Sequence, residues 1–195
     1  MQVDNKKFYK ASLKKYGATA QGLHWSSSQT QQIRFMQLMQ LLPESMEHYS
    51  MIDAGCGFAD FYLFLQEKGR KPLCYTGVDC MEEMVEEARK RTPCTILKRN
   101  ILTDRLIPAD FYCCSGAMNT LAPFETQLFI RRCYDAATYG FVFNILHGVR
   151  EGRIYNYVQR EAVEAIAAAL NATCRIVTGY LDRDMSVALY KRDIL

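Results

Sequence analysis

The strongest chemical signal in the sequence is a glycine-rich segment that follows a short apolar run. It reads Asp53-Ala54-Gly55-Cys56-Gly57-Phe58-Ala59 and leads into a helical pattern. Glycine has no Cβ, so it permits a tight turn and lets a ligand approach the backbone closely. The helix that follows starts with free N–H groups and the positive end of its dipole. The pattern therefore predicts a ligand site where this strand ends.

A second acidic residue supports the same site. Asp79 closes the strand-like run Tyr75-Thr76-Gly77-Val78-Asp79, and a carboxylate about twenty residues beyond such a turn can bind both hydroxyls of a ribose. Asp79 could instead cap the helix that begins near Met81, because aspartate is a good N-cap residue. Its combination with the glycine turn favours ribose binding.

The segment lacks the fingerprint of dinucleotide-binding proteins. Those proteins use G-x-G-x-x-G, in which the third glycine allows close helix–strand packing. The third position is Asp60 in this chain, which would place a carboxylate near a pyrophosphate. A nicotinamide-dependent oxidoreductase is therefore a weaker alternative, and a nucleoside ligand without phosphate groups is favoured.

Alternating β-rich and helical runs position these residues. From residue 49 onward the alternation predicts an α/β fold with a parallel sheet. The final two predicted strands are joined by only Asp182-Arg183-Asp184, which is too short for a crossover helix, so they form an antiparallel hairpin. The seven predicted strands are Ser50–Ala54, Cys74–Asp79, Thr95–Arg99, Asp110–Cys114, Gly140–Leu146, Ala172–Leu181 and Met185–Lys191.

Helices are predicted between the strands and ahead of them. We expect Leu128 to face inward from the helix that starts at Pro123. Residues 1–48 are expected to form an N-terminal helical cap that packs over one end of the sheet, in one compact unit with a domain at 49–195. One cap helix covers about 4–16, and a second opens at a capping box over 28–31. The remaining predicted helices are Phe58–Lys68, Met81–Arg91, Pro123–Thr138 and Tyr155–Leu170.

Together, the glycine turn, the second-strand acid and the terminal hairpin resemble the class I S-adenosylmethionine-dependent methyltransferases. The resemblance extends from Tyr49 to Lys191, with Ala59 in place of the last glycine of the family motif. It implies a Rossmann-like, doubly wound sheet of seven strands whose last strand is antiparallel. The cofactor would be S-adenosyl-L-methionine and the product S-adenosyl-L-homocysteine.

The resemblance also assigns cofactor-binding residues. Asp79 would bind the ribose, and Asn100 stands where the family often has an aspartate that holds the adenine amino group. The N-terminal segment looks like the cap of small bacterial members, so Arg34 could pair with the cofactor carboxylate; a surface ion pair is the alternative. The predicted cofactor-binding residues are Asp53, Ala54, Gly55, Cys56, Gly57, Asp79, Cys80, Met81, Asn100, Ile101, Ser115 and Arg34.

No catalytic residue is fixed by the sequence. His147 and His24 are candidates for a general base, which is needed only when the acceptor must lose a proton. The segment after the fourth strand lacks the motifs of amino-group and cytosine methylation, so we expect a small-molecule acceptor. A non-catalytic module that binds S-adenosylmethionine is an alternative, as is aminopropyl transfer from the decarboxylated cofactor.

Composition narrows the setting further. The chain has 195 residues, eight cysteines and a formal net charge of +3. Its charge is too small and too dispersed to predict a nucleic-acid partner, and no run of about 20 apolar residues predicts a membrane span. The cysteines form no C-x-x-C pair, so we expect no metal site and a reducing, cytoplasmic location.

Overall fold

A computed structural model describes residues 10, 12, 14–17, 19, 21–23, 27–149 and 154–191. Within these residues a seven-stranded sheet is flanked by helices. The strands are β1 (Ser50–Ala54), β2 (Cys74–Asp79), β3 (Thr95–Lys98), β4 (Ala109–Ser115), β5 (Ala137–Leu146), β6 (Thr173–Thr178) and β7 (Asp184–Tyr190). The α-helices are α1 (Ser28–Gln40), α2 (Asp60–Glu67), α3 (Glu82–Arg91), α4 (Pro123–Ala136) and α5 (Arg160–Ala169), and short 3-10 turns cover Gln21–Leu23 and Ala117–Thr120.

The strand order is β3-β2-β1-β4-β5-β7-β6. Strands β1 to β5 pair in parallel, whereas β7 runs antiparallel to both β5 and β6. This arrangement confirms the predicted doubly wound sheet with its terminal hairpin. The order reverses between β1 and β4, and such a switch point leaves a crevice at the carboxyl ends of the strands.

Each face of the sheet packs against its own set of helices. On one face, Phe35 and Leu38 of α1 share a core with residues of α2 and α3. On the other face, residues such as Phe129 of α4 and Val163 of α5 pack against the sheet. Helix α1 contacts β4, β5 and β7, so it covers a face of the sheet. The sequence had instead suggested that this helix packs over one end of the sheet.

The capping box of α1 lies one residue before the predicted one. Ser27, not Ser28, is the N-cap of α1: its hydroxyl accepts the Thr30 N–H at 3.1 Å, and the Thr30 hydroxyl accepts the Ser27 N–H at 3.2 Å. Threonine at the third helical position hides this box, because glutamate or glutamine is usual there. The helix predicted over 4–16 falls largely outside the described residues.

Two predictions about the later helices are wrong. Leu128 is 40% exposed, because Phe129, Ile130 and Cys133 form the stripe of α4 that faces the sheet. Helix α5 begins at Arg160 and not at Tyr155, because the preceding residues are hydrogen-bonded to the end of β5. Across the described residues, every helix is too short or too polar to cross a bilayer.

Candidate active site

An open cleft lies at the carboxyl ends of β1 to β4. It contains about 1240 Å³ of empty space, its open mouth included. Of the predicted cofactor-binding residues, only Ala54 does not line it; this side chain faces the core beneath the turn. Those that line the cleft are Arg34, Asp53, Gly55, Cys56, Gly57, Asp79, Cys80, Met81, Asn100, Ile101 and Ser115.

The fold itself requires a glycine at position 55. Its φ of +81° lies in the left-handed region, where a side chain is disfavoured. A Cβ placed on Gly55 would lie 2.3 Å from the Cβ of Ala117, which follows β4. A larger residue at position 55 would therefore disturb the contact between two loops even in the absence of a ligand.

The backbone N–H groups of the glycine turn are already hydrogen-bonded. Those of Gly55 and Cys56 donate to the Val78 carbonyl at 2.7 and 3.0 Å, and that of Gly57 donates to the Asp79 carboxylate at 3.0 Å. A phosphate-binding loop needs such groups to point at the ligand. The turn is thus poorly suited to a pyrophosphate, in agreement with the sequence.

Asp60 occupies the position of the third glycine in a dinucleotide motif. Its two carboxylate oxygens accept hydrogen bonds from Gln31 at 3.0 Å and from Arg91 at 3.2 Å. The carboxylate is fixed at the start of α2 and lines the cleft. Its negative charge would repel a pyrophosphate at this helix end, which further disfavours a nicotinamide cofactor.

Asp79 links the loops that follow β1 and β2. One oxygen accepts the Gly57 N–H at 3.0 Å and the other accepts the Met81 N–H at 2.9 Å. The N-cap residue of α3 is Met81, without a side-chain cap bond, so Asp79 does not cap the helix. Burial raises the pKa of Asp79, while the bonded N–H groups oppose that shift. Backbone N–H groups occupy part of the roughly four lone-pair sites of the carboxylate, which leaves capacity for a further donor, as a ribose hydroxyl would require.

Asp53 lies deeper, at the end of β1. It is 2% exposed and accepts a hydrogen bond from the Tyr75 hydroxyl at 2.6 Å. Burial raises the pKa of Asp53 to about 7, Tyr75 opposes the shift, and the charges of Asp79 and Asp60 add to it. The group therefore changes its charge close to neutral pH.

Apolar side chains form a slot between Asp79 and the end of β3. Met81, Met84 and Ile101 are buried and line the cleft there. Asn100 is exposed at the rim, where its side-chain oxygen accepts the Leu102 N–H at 2.9 Å. One lone pair of that oxygen is therefore used within its own turn, which weakens Asn100 as an acceptor for an adenine amino group.

Cys56 is unsuited to act as a nucleophile. It is 7% exposed, and its sulfur would lie only 2.8 Å from a Cβ added to Gly77. Burial, together with the negative charges of Asp79 and Asp53, raises the pKa of this thiol well above its usual value. A thiol that stays protonated is a poor nucleophile.

Arg34 forms a buried ion pair on the opposite side of the cleft. Its Nε donates to the carboxylate of Asp184 at the start of β7, and the two side chains are 14% and 1% exposed. The Tyr180 hydroxyl donates to the other oxygen of Asp184 at 3.0 Å. The pair is therefore not on the surface, and it places Arg34 above the ends of β5 and β7.

Ser115, at the end of β4, has a defined hydrogen-bond direction. The Asn144 side-chain N–H₂ faces the Arg34 carbonyl at 3.4 Å and the Ser186 hydroxyl at 2.6 Å. A carbonyl only accepts, so the Asn144 side-chain oxygen must face Ser115, whose hydroxyl donates to it at 2.8 Å. The remaining lone pairs of the Ser115 oxygen suit a ligand that donates, such as an ammonium group.

The histidine candidates gain no support from the geometry. His147 does not line the cleft, and its Nδ1 lies 3.0 Å from the Val158 carbonyl oxygen. His24 lies outside the described residues. Tyr155 and Thr120 do line the cleft but were not selected from the sequence, because neither belongs to a recognisable motif. Within the described ranges, no three histidine, cysteine or acidic side chains form a metal-binding group.

Comparison with known proteins identifies the fold. No protein-family model matches the chain, and a search of curated proteins finds no relative by sequence. Magnesium protoporphyrin IX methyltransferase (ChlM) from Synechocystis PCC 6803 with bound SAH is 13% identical, with a TM-score of 0.68 over 83% of this chain and 82% of that one. The DhpI-SAM-HEP complex is 12% identical, with a TM-score of 0.71 over 95% of each chain.

An S-adenosylmethionine-dependent methyltransferase from Mesorhizobium loti is also similar. It is 15% identical, with a TM-score of 0.64 over 80% of this chain and 96% of that chain. The chain therefore has the fold of the class I S-adenosylmethionine-dependent methyltransferases. At such low identity the likeness establishes the fold, whereas the chemistry must be argued from the cleft.

Proposed function

We propose that this protein is a methyltransferase that uses S-adenosylmethionine to methylate a small molecule and releases S-adenosylhomocysteine. The observation that carries the proposal is Asp79, which is held by two backbone N–H groups beside the glycine turn and retains acceptor capacity toward the cleft. Similar folds crystallised with SAM or SAH support this choice of cofactor.

The cleft offers a complementary group for each part of the cofactor. Asp79 would accept the ribose hydroxyls, and the apolar slot of Met81, Met84 and Ile101 would hold the adenine. The Ser115 oxygen would accept from the ammonium group of the methionine part. Arg34 is the candidate for its carboxylate, which would have to share the guanidinium with Asp184.

The sulfonium methyl of the bound cofactor is already strongly electrophilic. The residues of the cleft therefore need chiefly to align the acceptor atom behind that methyl and to exclude water. A general base is required only for an acceptor that must lose a proton as it attacks. We assign none, because His147 does not line the cleft and His24 lies outside the described residues.

The proposal is tested by titrating Asp79→Ala with S-adenosylmethionine in a calorimeter. Loss of the ribose hydrogen bonds should weaken binding by roughly 2–4 kcal/mol, since bonds to a charged group contribute about 1.5–3 kcal/mol each. Asp79→Asn keeps one acceptor oxygen but sets an N–H₂ group against the Gly57 or the Met81 N–H, so it should also weaken binding. Asp182→Ala is a matched control, because this carboxylate is 92% exposed and lies outside the cleft lining.

Circular dichroism of each variant shows whether the fold is retained. Wild-type affinity in a folded Asp79→Ala variant would contradict the ribose assignment. Release of S-adenosylhomocysteine on incubation with a panel of small acceptors separates an enzyme from a module that only binds the cofactor. Tight binding with no turnover on any acceptor would favour the module.

A further inference from the structure

A short segment, residues 154–159, crosses the end of β5; we call it the strap. Hydrogen bonds fix its C-terminal end. The Val158 N–H donates to the Leu146 carbonyl at 2.8 Å, and the Gln159 side chain donates to the Gly148 carbonyl at 2.7 Å. The strap therefore lies alongside the residues that end and follow β5.

Two buried asparagines take part in the hydrogen bonds that attach the strap to residues 119–126. The Asn156 N–H donates to the Asn119 carbonyl at 2.7 Å, and its side chain donates to the Thr126 hydroxyl at 2.9 Å. The Asn119 side-chain oxygen accepts the Leu146 N–H at 3.1 Å. Both asparagines are 9% exposed. This network holds the strap against residues 119–126, which include the 3-10 turn and the start of α4.

Tyr155 is the strap residue that lines the cleft. Its side chain is half-buried, and the charge of Arg34 acts on its phenol by opposing the rise in pKa that burial causes. Arg34 itself is fixed above the ends of β5 and β7 by Asp184. Tyr155 therefore lies beyond Ser115, on the side away from Asp79 and the proposed adenosine site.

This part of the cleft is mainly apolar. Leu121 and Phe129 line it beside Tyr155. Phe124, in the segment bound by the strap, is 67% exposed, and Ile154, next to Tyr155 in the strap, is 45% exposed. The neighbouring Arg34 is paired with Asp184 and is the candidate for the cofactor carboxylate, so we do not assign it to the acceptor.

We propose that Tyr155 determines acceptor specificity and that its ring is one wall of a subsite for a flat, largely apolar small molecule. The inference rests on the proposed function, because the subsite is defined as the space beyond the cofactor. Residues 119–126, with Leu121, form the adjoining wall. The strap holds Tyr155 beside this wall through the hydrogen bond from Asn156 to Asn119.

Binding of 2-naphthol to the protein saturated with S-adenosylhomocysteine tests the inference by calorimetry. This probe is flat and apolar, and the product prevents turnover during the titration. We expect measurable binding to the wild type and a loss of roughly tenfold or more in Tyr155→Ala, since stacking and burial of an aromatic ring are lost. Tyr155→Phe keeps the ring and should stay within about threefold of wild type.

Tyr157→Ala is the matched control. It removes a tyrosine of the same strap that does not line the cleft, and should leave the 2-naphthol affinity unchanged. Thermal unfolding of every variant confirms that the fold survives. If S-adenosylhomocysteine binds but 2-naphthol does not, or if Tyr155→Ala and Tyr157→Ala behave alike, the inference is wrong while the proposed function stands. If S-adenosylhomocysteine itself fails to bind, the proposed function falls and takes the inference with it.

Discussion

Two aspartates at the ends of neighbouring strands have different surroundings in the cleft. Asp79 is held by two backbone N–H groups, which stabilise its charge. Asp53 is almost fully buried and has the Tyr75 hydroxyl as its hydrogen-bond donor. Desolvation is therefore less compensated at Asp53, and its pKa rises to about 7. One carboxylate is suited to binding hydroxyl groups, and the other is sensitive to pH.

The raised pKa of Asp53 predicts a pH dependence of stability. Since its folded pKa of about 7 exceeds the ordinary 3.8, the folded state binds the proton more tightly, and stability falls as pH rises from about 4 to about 7. Between pH 5 and pH 8 this group should cost the wild type about 2–3 kcal/mol relative to Asp53→Asn. Urea unfolding of both proteins at the two pH values measures the difference. Parallel pH profiles would show that Asp53 is ionised throughout.

At the scale of residues, the sequence revealed the groups that belong to a local pattern. Gly55 and Asp79 could be selected because a turn and a strand end are recognisable from neighbouring residues. The partners of Arg34 and Ser115 could not, because Asp184 and Asn144 are 150 and 29 positions away in the chain. Those residues come together only because β4, β5 and β7 are neighbours in the sheet. This strand order could not be predicted from local sequence patterns.

At the scale of elements, helix α1 is part of the core. Phe35 and Leu38 are buried in the same cluster as Phe61 of α2, with the Phe35 and Phe61 ring centroids 5.2 Å apart. The same helix supplies Gln31 and Arg34 to the cleft. Packing and site formation are thus coupled in α1, and the proposed boundary of an N-terminal cap at residue 48 does not separate α1 from the core.

Leu38→Ala tests this role of α1. Leu38 is fully buried, so its truncation should lower the free energy of unfolding by roughly 2–5 kcal/mol through lost burial and a cavity. Gln32→Ala, on the exposed side of the same helix, should change it by less than about 0.5 kcal/mol. Denaturant unfolding compares the two variants. Equal, small effects would mean that α1 is a detachable segment.

Strands were easier to predict than helix starts. Ser50–Ala54 and Cys74–Asp79 have the predicted bounds, because buried parallel strands appear as short apolar runs between turns. The start of α5 was misplaced because Tyr155 and Val158 of the strap continue the spacing of a helical face. Their backbone instead follows the hydrogen bonds to Leu146 and Asn119, which are tertiary contacts.

At the scale of the whole molecule, topology explains why the site lies where it does. The chain moves from β1 outward to β3 and then returns to β4 on the other side of β1. The helices after β1 and β4 therefore lie on opposite faces of the sheet, and the glycine turn and Ser115 line the crevice at this switch point. The alternation of strands and helices predicted the parallel sheet, because a helix between two strands is long enough for a parallel crossover. The short connection predicted over 182–184 indicated the hairpin, because three residues cannot form such a crossover.

The most direct test of the central claim is calorimetric titration of the purified protein with S-adenosylmethionine, S-adenosylhomocysteine and NADH. The account predicts micromolar binding of both adenosyl ligands and none of NADH, because the glycine turn has its amides engaged and Asp60 at the phosphate position. Binding of NADH alone would contradict the account and point to an oxidoreductase. Absence of binding by all three ligands would also contradict it, since Asp79 would then hold no ribose.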